Sequence, residues 1–160
     1  MLNFKVRSQF NNNISKYYEL YKNVKNNSLS LNTFDLPEKL FNKIAENTDW
    51  EVIELRDSQS NSIISVVFCC KSGNCYSAVI IGMDYSVEKS LHLYKQSLYQ
   101  IIKRGLELKA EKIYLGVTAS ETKRKFGATP VKQVGFIQMK DNYNISLLES
   151  IKKNLVNTNN

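Results

Sequence analysis

Three short apolar segments follow one another between residues 50 and 83, and polar turns separate them. The first alternates apolar and polar residues with a period of two, and the second is nearly continuous in β-branched and apolar residues. Short runs of this kind, bounded by turn residues, predict strands joined as hairpins. The sequence therefore predicts an antiparallel meander over about residues 50–83, with strands at 50–56, 62–70 and 75–83.

A long segment of helical periodicity follows the meander. Its apolar face would carry Leu91, Tyr94, Leu98, Ile102, Gly105 and Leu108. This spacing predicts one long helix over about residues 86–110. Residues 112–117 then predict a short strand. Because a helix crosses between this strand and the preceding one, the two should be parallel.

The ends of the chain add further helices. Two amphipathic helices precede the meander, one over about residues 13–25 and one beginning near Asp35, which could cap it with Pro37 in the first turn. After residue 117 we expect a short helix, a strand at 131–139, a helix at 145–155 and a frayed tail at 156–160. The order predicts an α+β fold of three layers, with residues 1–160 forming a single domain.

Composition limits the classes of partner. The chain has 160 residues, 42% of them hydrophobic, and a formal net charge of +7. This is enough apolar material for one core, and the positive charge favours anionic partners such as nucleotide cofactors or nucleic acid. No apolar run is long enough for a membrane span, so we expect a cytoplasmic protein.

The cysteines and the single histidine do not suggest a metal site. Cys69, Cys70 and Cys75 lack a Cys-x-x-Cys spacing, so we expect reduced thiols and no metal. If Ser72–Gly73 forms a two-residue loop, Cys70 and Cys75 face each other across the hairpin. His92 has no second ligand four residues further on, so neither a metal cluster nor a Ser-His-Asp arrangement is expected.

The break between the third strand and the long helix is the first candidate site. Backbone N–H groups of residues 82–86, which include Gly82, Tyr85 and Ser86, could bind a phosphate or a developing oxyanion. Asp84 could accept a proton or orient an amine. The alternative is that Gly82 and Asp84 only shape a turn and cap the helix.

The second candidate site is a basic segment after the 112–117 strand. Lys123, Arg124 and Lys125 are contiguous, and Gly127 follows them. A guanidinium and an ammonium group could contact a phosphate or a substrate carboxylate. The alternative is a solvated basic turn.

The element order, together with Gly82-x-Asp84 and Lys123-Arg-x-Phe-Gly-Ala128, resembles the GNAT acyltransferase superfamily over about residues 30–143. The closer likeness is to the Fem-type peptidyltransferases and FemAB-like (BioF2-like) acyltransferases. The resemblance implies two central strands that part to leave a cleft for an acyl donor, with Asp84 as the catalytic residue. It implies donor contacts at Gly82, Tyr85, Ser86, Lys123, Arg124 and Gly127.

The sequence also departs from the family pattern in two places. Acetyl-CoA-binding members carry Arg/Gln-x-x-Gly-x-Gly/Ala between the strand and the long helix, whereas this chain has residues 82–88, Gly-Met-Asp-Tyr-Ser-Val-Glu. Many members place a proton-donating tyrosine after the next strand, where this chain offers Phe126.

Three functional hypotheses follow from the resemblance. The first is an N-acyltransferase that uses acyl-CoA or acetyl-CoA and a small-molecule amine or amino-acid-like acceptor. The second is a peptidyltransferase that uses aminoacyl-tRNA, for which a homodimer would supply a second domain. The third is a catalytically silent binding module of the same fold.

Overall fold

The structure, a computed structural model, describes residues 2–27, 35–117 and 120–132. The chain divides into two units, Met1–Thr129 and Pro130–Asn160. Only residues 130–132 of the second unit are described, and they form no regular element. The predicted strand beyond residue 132, the final helix and the tail lie outside the described residues, and the single domain over 1–160 stays a prediction.

A five-stranded mixed sheet forms the centre of the first unit. Its spatial order is β1-β2-β3-β4-β5, with antiparallel pairing throughout except for the parallel pair of β4 and β5. The strands are β1 Leu2–Arg7, β2 Trp50–Asp57, β3 Ile63–Ser72, β4 Cys75–Met83 and β5 Lys112–Tyr114. The predicted meander and parallel strand are therefore confirmed. The structure adds β1 as an edge strand, which the sequence had left open.

Helices cover both faces of this sheet. They are α1 Ile14–Asn27, preceded by a 3-10 turn at Asn11–Asn13, α2 Glu38–Ala45, α3 Tyr85–Leu91, α4 Leu93–Glu107 and α5 Ser120–Lys125. Residues of α1 and α2 share one apolar cluster with the sheet, and residues of α3 and α4, together with Phe126 directly after α5, belong to the other. We call these the α1 face and the α4 face. The predicted three-layer α+β fold is confirmed.

Aromatic rings fill the core of the α1 face. Tyr17 of α1 and Phe41 of α2 are completely buried and pack edge-on against Phe68 of β3, with ring centroids 5.7 and 5.2 Å apart. Edge-to-face contacts of this kind add to the stability that burial itself provides. Tyr17 and Tyr21, on the inner side of the predicted amphipathic first helix, are both buried.

The second helix begins later than predicted, so the cap assigned to Asp35 is wrong. Pro37 is the residue before the first turn of α2, with φ of −72°, and no side chain caps the helix. A residue that precedes proline avoids helical angles, which prevents a helix from running through Leu36. The Asp35 carboxylate instead pairs with Lys25 at 2.8 Å.

The hairpin between β3 and β4 is shifted by one residue from the predicted loop. Gly73 and Asn74 form the turn, and Ser72 pairs with Cys75. Cys70 therefore lies opposite Ser77, so the conditional prediction that it faces Cys75 is wrong. The glycine explains the shift, because its φ of +54° is a turn conformation that other residues rarely adopt. All three thiols are free.

The single long helix of the prediction is interrupted at His92. This residue adopts left-handed angles (φ 51°, ψ 45°), and its N–H donates to the Glu88 carbonyl that ends α3. The flanking Leu91 and Leu93 both pack against the α4-face cluster. In a continuous helix, positions two apart are separated by about 200°, so both could not face the sheet. The break at His92 lets both leucines pack.

Gly82 is the point of closest approach between α1 and the sheet. A Cβ atom there would lie 2.6 Å from the Tyr21 backbone nitrogen and 2.7 Å from the Leu20 carbonyl carbon. Both neighbours are main-chain atoms, which cannot give way as a flexible side chain can. Only glycine allows α1 to sit this close to β4.

We predict that Gly82→Ala destabilises the protein by about 1–3 kcal/mol, because α1 must move away from the sheet. The free energy of unfolding from urea titration measures the effect. Ser72→Ala, on the same sheet but exposed, is the control and should stay within about 0.5 kcal/mol. Equal stabilities for Gly82→Ala and wild type would show that the close approach does not constrain the fold.

Candidate functional site

The parallel strands β4 and β5 pair over only three residues each. Cys75, Tyr76 and Ser77 lie opposite Lys112, Ile113 and Tyr114. Beyond Ser77, β4 continues to Met83 with no strand of the described residues on that side. The two strands part at this point, and we call the gap the β4–β5 opening.

A β-bulge in β4 lies directly at the start of this opening. Cys69 of β3 pairs with Ala78 and Phe68 pairs with Ile80, so Val79 is an extra residue without a cross-strand partner. Its side chain is 55% exposed. Bulges of this type reorient the strand and are frequent beside active sites.

The bulge also exchanges the faces of β4. Before the bulge, the even-numbered residues Tyr76 and Ala78 belong to the α4-face cluster. After the bulge, the odd-numbered residues Ile81 and Met83 belong to the same cluster. In a regular strand residues 76 and 80 would share a face, but Ile80 packs with the α1-face cluster. The extra residue lets one strand fill both cores, and it lies just beyond the last residues of β4 that pair with β5.

Residues at the far end of β4 form a turn and a helix cap. The Asp84 N–H donates to the Ile64 carbonyl at 2.8 Å. The Asp84 carboxylate accepts from the Ser86 N–H at 2.9 Å and from the Ser86 hydroxyl at 2.6 Å. The capping role that the sequence had left open for Asp84 is therefore present. The Tyr85 side chain is 41% exposed.

The Gly-Ala part of the basic segment ends the helix α5. Gly127 has φ of +83°, its N–H donates to the Arg124 carbonyl at 2.9 Å, and the Ala128 N–H donates to the Lys123 carbonyl at 3.2 Å. This pair of hydrogen bonds is the Schellman motif, in which a left-handed glycine closes a helix. The motif thereby fixes the last turn of α5.

The three basic residues of α5 do not share one environment. Lys123 is 6% exposed and donates from Nζ to the Gly116 carbonyl at 3.0 Å, whereas Arg124 and Lys125 are exposed. Burial lowers the pKa of Lys123 from its usual value. Lys125 pairs with Glu121 at 3.2 Å, one turn earlier on the same helix.

The structure brings Lys123, but not Asp84, to the start of the β4–β5 opening. A Cβ atom on Gly116 would lie 3.7 Å from Lys123 Nζ and 3.6 Å from the Ala78 carbonyl oxygen, beside the bulge. Asp84 lies six residues after Ala78, just beyond the end of β4, which places it roughly 15–20 Å from Ala78 along the strand. The two predicted site residues therefore lie at opposite ends of the opening.

Solved structures share this arrangement of elements. A predicted acetyltransferase from Clostridium acetobutylicum with acetyl-CoA superimposes with a TM-score of 0.65 at 12% identity, covering 86% of this chain and 96% of that chain. A GNAT family acetyltransferase from Staphylococcus aureus gives 0.59 at 14% identity, covering 86% and 98%. This chain has the GNAT fold.

Glucosamine-6-phosphate N-acetyltransferase from Arabidopsis thaliana is also similar, with a TM-score of 0.59 at 14% identity, covering 87% of this chain and 99% of that chain. No protein-family model and no curated protein matches the sequence. The likeness confirms the fold that the broader resemblance implied, and the closer likeness to the Fem-type branch stays a prediction.

Sequence reasoning missed two buried carboxylates in this GNAT fold. Glu51 and Glu54 of β2 are 1% and 0% exposed, on opposite faces of the sheet. On the α4 face, Arg104 forms two hydrogen bonds to the Glu51 carboxylate (2.8 and 3.0 Å), and the Tyr76 hydroxyl donates a third at 2.7 Å. Burial acts to raise the pKa of Glu51, but the hydrogen bonds outweigh it and the pKa is lowered.

Glu54 has an equivalent set of partners on the α1 face. The guanidinium groups of Arg56 and Arg7 lie 2.7 and 2.9 Å from its carboxylate, and the Tyr17 hydroxyl donates to it. Burial again opposes ionisation, and the donated hydrogen bonds leave the pKa of Glu54 below its usual value. Both carboxylates are held ionised among their donors, which makes them anchors between layers rather than proton acceptors.

We predict that the free energy of unfolding decreases as the pH is lowered below about 4.3, the value for glutamate in an unfolded chain. A carboxylate whose pKa is depressed by folding stabilises the native state above the unfolded pKa, and this stabilisation disappears as the pH falls through the folded pKa. Glu54→Gln should weaken the dependence and cost about 3 kcal/mol at pH 7, because two guanidinium groups lose their partner.

Urea titrations across pH 3–7 measure both effects. Glu46→Gln, an exposed carboxylate paired with Lys43 on α2, is the control and should change stability by less than about 1 kcal/mol. A Glu54→Gln variant with the acid dependence of the wild type would contradict the assignment.

The described residues contain neither a metal-binding cluster nor a membrane-spanning helix. No group of three or more His, Cys, Asp and Glu side chains in that part of the chain is arranged to hold a metal ion. Among the same residues, no helix is long and apolar enough to cross a membrane. A small cavity of about 150 Å³ lies at the β3–β4 hairpin, lined by residues that include Lys71 and Lys109.

Proposed function

We propose that this protein is an N-acyltransferase that moves an acyl group from an acyl-CoA-type thioester to an amine. The observation that carries the proposal is the β4–β5 opening with a bulge at Val79, within a GNAT fold. Similar structures are described as acetyltransferases, and one of them was solved with acetyl-CoA. The acceptor is a small-molecule amine or an amino-acid-like molecule.

The chemistry needs a hydrogen-bond donor for the acyl oxygen. When the amine nitrogen attacks the thioester carbon, negative charge develops on that oxygen, and a fixed N–H group in a water-poor site stabilises it. In this scheme the main-chain N–H of Val79 supplies the donor, since the bulge interrupts the regular ladder of β4 at the start of the opening. The C–N bond forms as the C–S bond breaks, and the proton lost by the amine ends on the thiol.

Predicted site residues with exposed side chains take the donor's polar parts. Tyr85 and Ser86 at the end of β4, and Arg124 on α5, are exposed. A guanidinium group suits the phosphates of coenzyme A, because it binds them through two parallel hydrogen bonds. Asp84 lies too far from the bulge to contact the attacking amine in this scheme, and it instead caps the helix at the end of β4 that receives the donor's polar parts. Gly82 and Gly127 shape the backbone around the donor.

We expect acetyl-CoA or a longer acyl-CoA to bind and stabilise the fold. A ligand present at 100 times its dissociation constant adds about 2.7 kcal/mol to the free energy of unfolding. Thermal shift against a panel of acyl-CoA esters, followed by calorimetry on any that respond, measures this. Free adenosine triphosphate controls for general anion binding to a chain of net charge +7. If no ester binds more tightly than adenosine triphosphate, the proposal fails.

We predict that Val79→Pro lowers the rate of acyl transfer by about 10²–10³-fold, because proline removes the backbone N–H. Val79→Ala removes the same exposed side chain but keeps the N–H, so it is the matched control and should retain activity. The measurement is turnover with the best acyl-CoA and an amine panel, after circular dichroism has shown that both variants fold. Equal rates for the two variants would exclude Val79 as the donor.

The peptidyltransferase hypothesis and the binding-module hypothesis are each tested by a different measurement. The peptidyltransferase hypothesis, in which a homodimer would supply a second domain, rests on the positive charge of the sequence. It predicts binding of tRNA that weakens steeply as the salt concentration rises. A catalytically silent module predicts binding of an acyl-CoA without turnover of any amine.

A further inference from the structure

Lys123 occupies an unusual place for an ammonium group. The residue is 6% exposed, and its Nζ donates to the Gly116 carbonyl at 3.0 Å. Gly116 lies in the segment that follows β5, at the level of Ala78 in β4. The lysine side chain therefore reaches from α5 to the place where β4 and β5 stop pairing.

Gly116 lies within contact distance of both β4 and Lys123. A Cβ atom added there would lie 3.6 Å from the Ala78 carbonyl oxygen and 3.7 Å from Lys123 Nζ. Gly116 also has φ of +78°, which favours glycine. Both distances are ordinary van der Waals contacts, so the segment after β5 lies against a carbonyl of β4 and against the lysine ammonium group, and the positive φ rather than a lack of space favours glycine here.

An ammonium group is costly to bury, so its position needs a compensating interaction. The hydrogen bond to the Gly116 carbonyl supplies part of this compensation and holds the carbonyl group toward α5. An apolar side chain of the same length would fill the space but could not fix the carbonyl. The contact therefore sets where the chain goes after β5.

We propose that Lys123 is a positioning residue, whose hydrogen bond to the Gly116 carbonyl fixes the chain after β5 beside Ala78 and so sets the edge of the β4–β5 opening that an acyl group enters. The part that concerns the acyl group rests on the proposed function. The part that concerns the strands does not. This role differs from the phosphate contact that the sequence suggested for Lys123, and the two predict different results.

The first experiment compares two donors that differ in their phosphates. Acetyl-CoA carries phosphate groups, whereas acetyl-pantetheine carries the same thioester without them. We expect Lys123→Met to weaken binding of both by the same factor, about tenfold or more, because a displaced strand affects the shared thioester end. A loss confined to acetyl-CoA would assign Lys123 to a phosphate and overturn the proposal, as would unchanged binding of both.

Lys103→Met is the matched control for this comparison. Lys103 is an exposed lysine of α4 that lies 4.0 Å from Glu107, so the substitution removes the same charge from the molecule. It should leave the affinity for both donors unchanged. A loss equal to that of Lys123→Met would attribute the effect to net charge and overturn the proposal.

The second experiment does not depend on the proposed function. Hydrogen exchange, read by mass spectrometry on peptides covering residues 75–83 and 112–117, should rise in Lys123→Met and stay at the wild-type level in Lys103→Met. Unchanged exchange in Lys123→Met overturns the positioning role. If no donor binds the wild type but exchange rises as expected, the proposed function fails and the structural role of Lys123 stands.

A third measurement uses the wild-type protein, in case Lys123→Met does not fold. Amine acetylation by a small reagent, quantified at each lysine, should modify Lys123 at least about tenfold more slowly than exposed Lys103, because its ammonium group is buried and bonded. Similar rates for the two lysines would show that Lys123 Nζ is not held against Gly116, and would overturn the proposal.

Discussion

The geometry of β4 determines most of this structure. One extra residue, Val79, changes which side chains of the strand face each helical layer, so that Tyr76 and Met83 fill one core and Ile80 the other. A strand without the bulge would bury the wrong set of residues after Ala78, because a shift of one residue exchanges the faces. The same bulge places main-chain groups where β4 and β5 separate, so core packing and the candidate site depend on one local feature.

The layers are fixed to this sheet by contacts of different kinds. Gly82 allows α1 to approach β4 at main-chain distance, and Glu54 connects the same helix to β2 through the Tyr17 hydroxyl. On the other face, the bidentate contact between Arg104 and Glu51 attaches α4 to β2. Buried ion pairs add little net stability over apolar packing but tolerate few alternative arrangements, since an unpaired buried charge is costly. They therefore specify the position of each helix.

The sequence predicted the elements whose signals are local. The short apolar runs of 50–83 and the helical periodicity of the first helix need only neighbouring residues to be recognised, and both predictions are confirmed. The break at His92, the bulge at Val79 and the orientation of Lys123 depend on packing between distant segments, and no Gly or Pro marks the first two. Glu51 and Glu54 were missed because a charged residue is rarely fully buried unless it is paired, and their partners come from segments distant in the sequence. One signal for the bulge was present in the sequence. Ile80 and Ile81 are adjacent and both apolar, whereas a regular half-buried strand exposes every second residue.

The proposed function requires that an acyl donor bind in the β4–β5 opening beside Val79. The most direct test is the amide nuclear magnetic resonance spectrum of the wild-type protein during titration with acetyl-CoA. We expect the largest shift changes at the amides of residues 78–80 and at Gly116, with the hairpin cavity near Lys71 and Lys109 unaffected. Shift changes confined to that cavity, or none at any concentration of the thioester, would contradict the proposed function.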